Sequence, residues 1–202
     1  MNVRNHDFEP IVDTLRMKEW LRDASDKRGK IARMMHTGEL FQLRRGLYAT
    51  RRGLHPYCLA ASIYGPSYVS FETALSFHGL IPEAVHEITS ATLRRAREFE
   101  NVFGRYRYRT VPRQVYPIGI ERITEGGIPF LIASPTKALC DRIALEPRMR
   151  SMSDVRQWAE LMRLNGEHEL DPAILAACAE SYRRPAVRLL RRTVEKYGGV
   201  LS

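Results

Sequence analysis

Hydrophobic positions in the first part of the chain recur at helical spacing twice. Residues 11–23 place apolar side chains about three and four positions apart, which predicts a first helix over this range. A second, shorter helix follows, with Asp26 as its N-cap and an apolar stripe formed by Ile31, Met34 and Met35. Of these, Ile31 and Met35 are predicted to turn inward.

A segment in which hydrophobic and polar side chains tend to alternate comes directly after these two helices. Residues 39–50 form two short predicted strands that turn at Arg44-Arg45-Gly46, where Gly46 can adopt a positive φ. Helix, helix and hairpin in this order are typical of a winged helix-turn-helix, with the hairpin as the wing. We therefore expect such a domain over residues 1–55.

The chain beyond residue 56 mixes the two periods. Strand alternation marks residues 86–92, 104–111 and 129–133. Helical spacing or helix-start signals mark residues 57–64, 71–78, the segment from Ser134 onward, and residues 154–164, 172–182 and 185–197.

The predicted fold is therefore α+β. We expect the N-terminal winged helix-turn-helix to be followed, over residues 56–202, by a mixed α/β domain with a mostly antiparallel sheet. A helical segment over residues 153–198 completes this second domain.

The composition is that of a globular protein with room for two domains. Of the 202 residues, 44% are hydrophobic and 27% are charged. The first residues lack the apolar core of a signal peptide and no apolar run approaches a membrane span, so we expect a cytoplasmic protein without membrane contact. The three cysteines lie far apart, which predicts reduced core thiols: Cys58, Cys140 and Cys178.

Basic residues are concentrated near the N-terminus. The chain carries 32 Lys and Arg against 23 Asp and Glu, a formal net charge of +9. Eight of these cations and a single acid, Glu39, fall within residues 27–52. A clustered positive charge on a predicted helix and hairpin favours a DNA partner.

The candidate DNA contacts lie on the second helix and the wing. Cations at the N-terminal end of a helix oppose its macrodipole, and charge that costs the fold stability indicates an external partner. The alternative is a solvated basic face on a small helical subdomain. The candidate DNA-binding residues are Lys27, Arg28, Lys30, Arg33, Arg44 and Arg45.

A second candidate surface lies in the predicted strand at residues 104–111. Alternation places three arginines on one face and two tyrosines on the other. In one interpretation this face contacts DNA that flanks the site bound by the first surface, or RNA; in the other the strand is half-exposed and its tyrosines pack inward. The residues are Arg105, Arg107 and Arg109, with Arg94, Arg95 and Arg97 nearby, and opposite them Tyr106 and Tyr108.

Lys137 and Asp141 stand four residues apart on the helix that follows Ser134. Lys137 lies in the first turn, which the helix dipole disfavours for a cation. Two interpretations stay open: a structural Lys137–Asp141 ion pair, or a binding role for Lys137 in the second domain.

The sequence lacks the constellations of common catalytic sites. The six histidines form no HExxH or HxH pair, and there is no Walker loop, GxGxxG or GxSxG motif. We therefore expect no enzyme, no metal and no cofactor. One alternative is a nuclease or nucleotidyltransferase built around Glu72, Lys137 and Asp141, and another is a protein-interaction module that uses the arginine face of the last helix.

Three segments resemble the AbiEi family, the antitoxins of bacterial type IV toxin–antitoxin (abortive infection) systems. GELFQLRRGLY at residues 38–48 is similar to the family's N-terminal winged helix. YVSFETALSFHGLIPE at residues 68–83 and IASPTKALCD at residues 132–141 are similar to two helices of its C-terminal part. The segments occur in the family's order, although Thr136 stands where the family usually has Glu.

The resemblance implies a transcriptional autorepressor that binds promoter inverted repeats as double-stranded DNA. It also implies that the C-terminal part counters an AbiEii-like nucleotidyltransferase toxin without forming a stable complex with it. Winged-helix repressors read paired half-sites, so we expect either a homodimer or cooperative binding of monomers.

Overall fold

The computed structural model describes residues 9–166 and 168–199, and confirms the α+β class. Residues 1–8, 167 and 200–202 of the two predicted domains lie outside the described residues. In chain order the elements are β1 Ile11–Asp13, α1 Thr14–Trp20, α2 Lys27–His36, β2 Phe41–Arg44, β3 Leu47–Ala49, α3 Pro56–Ile63, β4 Ser67–Val69, α4 Phe71–Phe77, β5 Glu87–Thr92, β6 Arg97–Asn101, β7 Gly104–Thr110, β8 Ile120–Glu125, β9 Ile128–Ala133, α5 Pro135–Ile143, α6 Met152–Leu161, α7 Pro172–Tyr182 and α8 Pro185–Tyr197.

The N-terminal region is a small antiparallel sheet of order β1-β3-β2 with α1 and α2 packed on it. The single helix predicted over residues 11–23 is wrong at its start, because residues 11–13 pair with β3 as a strand. Asp13 ends that strand and caps α1, since its carboxylate accepts the backbone N–H groups of Leu15 and Arg16, both at 2.9 Å. Leu15 consequently lies on the outer side of α1, 74% exposed.

The inner face of α2 differs by one position from the prediction. Ile31 and Met34, three residues apart, pack against the small core of Val12, Met17, Leu21 and Leu40. Met35, predicted to turn inward, is 37% exposed. The buried stripe is therefore narrower than the sequence indicated, and more of α2 faces solvent.

The larger part of the chain is built on a six-stranded mixed sheet of order β6-β7-β5-β4-β9-β8. Three of its pairings are antiparallel and two, β5 with β7 and β4 with β9, are parallel. In this part of the chain, helices α7 and α8 have the bounds that the sequence predicts. Strands β4 and β6 are not predicted by the sequence pattern.

The β2–β3 hairpin, which is the predicted wing and is called the wing below, is fixed to this larger sheet. Residues 56–199 are called the body below. Leu43 and Leu47 of the hairpin belong to the same hydrophobic core as the β-strands of the body. The Asn101 side-chain amide donates to the Leu43 carbonyl at 3.1 Å, and Arg44 Nε donates to the Ile63 carbonyl at 2.8 Å. The core thus continues across the boundary predicted at residue 55.

The turn of the wing supports a first prediction. Gly46 has φ +78°, and a Cβ there would lie 2.7 Å from Thr14 Oγ1. We expect Gly46→Ala to lower the free energy of unfolding by about 1–2 kcal/mol, because an L-residue is strained at this φ. Urea unfolding measures the loss, and Gly53→Ala is the control, since a Cβ at Gly53 would meet no atom within 4 Å. Equal stability of the two variants would contradict the prediction.

Candidate nucleic-acid interface

Helix α2 presents a cationic face that lacks acidic partners. The Asp26 carboxylate accepts the Gly29 N–H at 2.9 Å and so begins the helix, and no acid lies in its first turn. Arg28 and Arg33 are exposed, and Lys27 and Lys30 are half-buried. Among the residues that the structure describes, none of these four cations forms an ion pair with a carboxylate.

The acids that flank α2 along the chain have other contacts: Asp26 caps the helix itself, and Asp23 pairs with Arg22 at 3.8 Å. On α1, Arg16 pairs with Glu9 at 3.1 Å and with Glu19 at 3.6 Å. Beyond α2, the Glu39 carboxylate accepts the Thr37 hydroxyl at 2.6 Å. The four cations of α2 therefore form no ion pair in the described part of the chain, although the Asp26 carboxylate lies at the N-terminus of the helix, and Arg28 and Arg33 face solvent.

The two wing-tip arginines differ in their contacts. Arg44 uses its guanidinium to bind the carbonyls of Ile63 and Arg45, at 2.8 and 3.3 Å, so it holds the wing against the body. Arg45 lies in the turn, is exposed, and makes no ion pair in the described part of the chain. Of the two predicted wing contacts, Arg45 is therefore the one whose exposed side chain does not hold the hairpin to the body.

The second candidate surface, on β7, has balanced charge. Arg105 pairs with Glu100 at 3.4 Å, and Arg107 pairs with both Glu87 and Glu98, at 3.2 and 2.9 Å. The remaining member, Arg109, lies over the Phe71 ring at 5.9 Å. A nucleic acid would meet as many carboxylates as guanidinium groups on this face.

The tyrosines of β7 point the other way, as strand alternation predicts. Tyr106 and Tyr108 are fully buried, and their hydroxyls donate to the carbonyls of Pro56 at 3.1 Å and Ala60 at 2.7 Å. Burial raises the pKa of both phenols above the ordinary value. These rings fix α3 to the sheet, and α3 in turn carries the carbonyl that binds Arg44.

Lys137 and Asp141 form a completely buried ion pair within α5. The Lys137 ammonium also lies 5.3 Å from the centre of the Tyr68 ring and 5.4 Å from that of Tyr182. Since its exposed fraction is 0%, Lys137 does not contact solvent. The fold therefore contains the ion pair that the structural interpretation predicts. A partner could reach Lys137 only if α5 separated from its neighbours.

Three hydroxyl groups that the sequence did not indicate converge on the Asp141 carboxylate. Tyr68 and Ser70 donate to Oδ2 at 2.9 and 2.7 Å, and Tyr182 donates to Oδ1 at 2.5 Å. Burial, and then the negative charge of Asp141, raise the pKa of the Tyr68 and Tyr182 phenols, so both stay protonated as donors. The donors come from β4, the N-cap of α4 and the end of α7, which only the folded chain brings together.

The residues of the enzymatic alternative are occupied in ion pairs. Glu72 contacts Arg142 at 2.6 Å, and Lys137 and Asp141 are buried with each other. Within the described ranges, no group of three His, Cys, Asp or Glu side chains could hold a metal ion. The three cysteines are buried with free thiols, as predicted.

The arginine face predicted for the last helix is present on α8. Arg184 and Arg188 are exposed, whereas Arg191 pairs with Glu195 at 2.6 Å and lies 3.8 Å from Glu180.

No helix in the described ranges is long and apolar enough to cross a membrane. Comparison with known protein families and with curated proteins finds no match to this chain.

Proposed function

We propose that this protein is a transcriptional regulator that binds double-stranded DNA through α2 and the wing. The observation that carries the proposal is the order β1-α1-α2-β2-β3, in which β1 pairs with β3 beside the hairpin. This order supports the proposal because a hairpin that follows two helices is typical of a winged helix-turn-helix; in the proposal α2 is the recognition helix and the Arg45 turn is the wing tip.

The charge of α2 supports the same conclusion. The first turn of the helix contains Lys27, Arg28 and Lys30. At this end the helix macrodipole disfavours each cation by about 0.3–1 kcal/mol. Phosphate groups of DNA would offset this cost, and helix N-terminal N–H groups also favour phosphate.

We infer that the regulator is the autorepressor and antitoxin of a type IV toxin–antitoxin operon. The support for this part is the resemblance of residues 38–48, 68–83 and 132–141 to the AbiEi family. In this proposal the wing and α2 bind the promoter inverted repeats, as a homodimer or as cooperating monomers. The body carries the activity that counters an AbiEii-like nucleotidyltransferase, without a stable complex.

Binding to promoter DNA tests the proposal. Full-length protein should bind its own upstream promoter more tightly than random duplex in a gel shift. The variant Lys27→Ala/Arg28→Ala/Lys30→Ala should lose roughly a hundredfold in affinity, because about three phosphate contacts are removed. The same variant should still neutralise the toxin on co-expression if that activity lies in the body.

A matched control separates local contacts from bulk charge. Arg122→Ala/Arg148→Ala/Arg150→Ala removes the same charge from three exposed positions of the body. This variant should bind the promoter within a few-fold of the wild type. Wild-type protein that shows no preference for its promoter over random DNA would refute the proposed regulator function.

A further inference from the structure

A cleft of about 480 Å³ lies between the wing and the edge of the large sheet. Four arginines line it: Arg44 and Arg45 from the wing, Arg94 from the β5–β6 loop and Arg97 from the start of β6. The other lining residues are Ala61, Ile63, Tyr64, Gly65 and Phe99, so none of the described lining residues is acidic. The cleft is therefore strongly cationic at every pH at which proteins are stable.

The register of β6 explains why acids are absent from this side. Glu98 and Glu100 of β6 face the outer side, where they pair with Arg107 and Arg105 at 2.9 and 3.4 Å. Arg97, on the opposite face of the same strand, lies over the Phe99 ring at 5.0 Å. The strand thus separates neutralised charge on one face from unpaired positive charge on the other.

The backbone that carries these arginines is held in place. The Arg94 N–H donates to Thr92 Oγ1 at 3.2 Å, and the Thr110 hydroxyl donates to the Arg94 carbonyl at 2.8 Å. On the facing wall, the Tyr64 hydroxyl donates to the Arg95 carbonyl at 3.2 Å. Because the Arg44 bond to Ile63 fixes the wing as well, the two walls of the cleft are preorganised.

The guanidinium groups themselves remain available to a ligand. Arg94 lies over the Tyr64 ring at 5.5 Å, a contact that orients the planar group without using its N–H donors. Arg45, Arg94 and Arg97 form no ion pair in the described part of the chain. Grouped like charges repel one another, and a ligand with several anionic oxygens relieves that repulsion through bidentate bonds.

We propose that this cleft is a phosphate-binding site, with Arg45, Arg94 and Arg97 as its principal ligands. The phosphate comes from one of two sources. It is a backbone phosphodiester of the duplex held by the wing, which rests on the proposed function, or it belongs to a free polyphosphate such as a nucleotide. Both sources present the same chemistry to the three guanidinium groups.

The test compares Arg94→Gln/Arg97→Gln with Arg122→Gln/Arg148→Gln, which removes equal charge from exposed positions elsewhere in the body. Circular dichroism verifies that both full-length variants fold. Calorimetry with inorganic tripolyphosphate measures the free-phosphate source. Gel shifts on promoter and random duplexes over a range of salt measure the duplex source.

If the cleft binds phosphate, Arg94→Gln/Arg97→Gln loses about tenfold or more in affinity for its probe, and the control does not. For the duplex source, the slope of log affinity against log salt becomes shallower by about 2, equally on promoter and random DNA. For the free source, tripolyphosphate binding falls while the salt slope is unchanged. Behaviour identical to the control in both arms would overturn the proposal.

The outcomes also separate this site from the proposed function. Promoter-specific binding by the wild type, with no effect of Arg94→Gln/Arg97→Gln in either arm, rejects the cleft and leaves the regulator function in place. Loss of tripolyphosphate binding in a protein that has no promoter preference rejects the regulator function and supports the cleft.

Discussion

Replacement of Asp141 by alanine is expected to lower the free energy of unfolding by about 3–5 kcal/mol. The substitution leaves the Lys137 ammonium buried without a counter-charge, and it removes the acceptor of the Tyr68, Ser70 and Tyr182 hydroxyls. Buried donors without acceptors add their own desolvation cost. Urea unfolding followed by far-UV circular dichroism measures the change.

A double variant distinguishes a structural pair from a binding site. Lys137→Met/Asp141→Asn removes both charges and keeps a side-chain oxygen for the hydroxyl donors, so it should recover most of the stability lost in Asp141→Ala. If the pair is structural, this variant also keeps promoter binding and toxin neutralisation. A stable double variant that has lost neutralisation would instead support the binding role of Lys137.

This cluster shows which part of a buried site can be predicted from sequence. The spacing of Lys137 and Asp141 indicates a pair, because residues four apart share a helix face. Tyr68, Ser70 and Tyr182 carry no such signal, since they lie 73, 71 and 41 positions from Asp141 and meet it through tertiary packing. Local spacing is visible in a sequence, and convergence across the fold is not.

The strands illustrate the same limit. Helices α7 and α8 were predicted at their full length because each begins with proline, and α8 also carries a clear apolar stripe. Strand β1 was missed because its three residues continue the helical period of α1, and only its pairing with β3 makes it a strand. Strand β6 was missed because its alternating charges resemble a solvated surface.

For the candidate interface, the sequence identified the cations but not their partners. The α2 cations and the Gly46 turn follow from local pattern alone. The neutralisation of Arg105 and Arg107 depends on the β6–β7 register, which sets Glu100 opposite Arg105 and Glu98 opposite Arg107. The same register places Arg97 on the cleft side. The arginines that the sequence predicts as one second basic surface are therefore divided between two faces of the sheet.

The protein is also expected to unfold cooperatively in alkaline solution because of its buried tyrosines. Burial raises the pKa of Tyr68, Tyr106, Tyr108 and Tyr182 in the folded state well above the ordinary value of about 10. Their stabilising contribution is fully present below the pKa of the unfolded chain and is lost as pH rises beyond it, since the unfolded state then binds fewer protons.

The expected loss is about 1.4 kcal/mol per pH unit for each tyrosine, or about 5.5 kcal/mol per unit for the four, above pH of about 10. Because the loss per pH unit is a large fraction of a typical domain's free energy of unfolding, unfolding should be complete within about one to two pH units. Absorbance of ionised tyrosine and far-UV circular dichroism should therefore change together. In Tyr106→Phe/Tyr108→Phe the loss should fall to about 3 kcal/mol per unit. Tyrosine ionisation that runs to completion while the circular dichroism stays native would contradict this, because the four phenols could then titrate without unfolding.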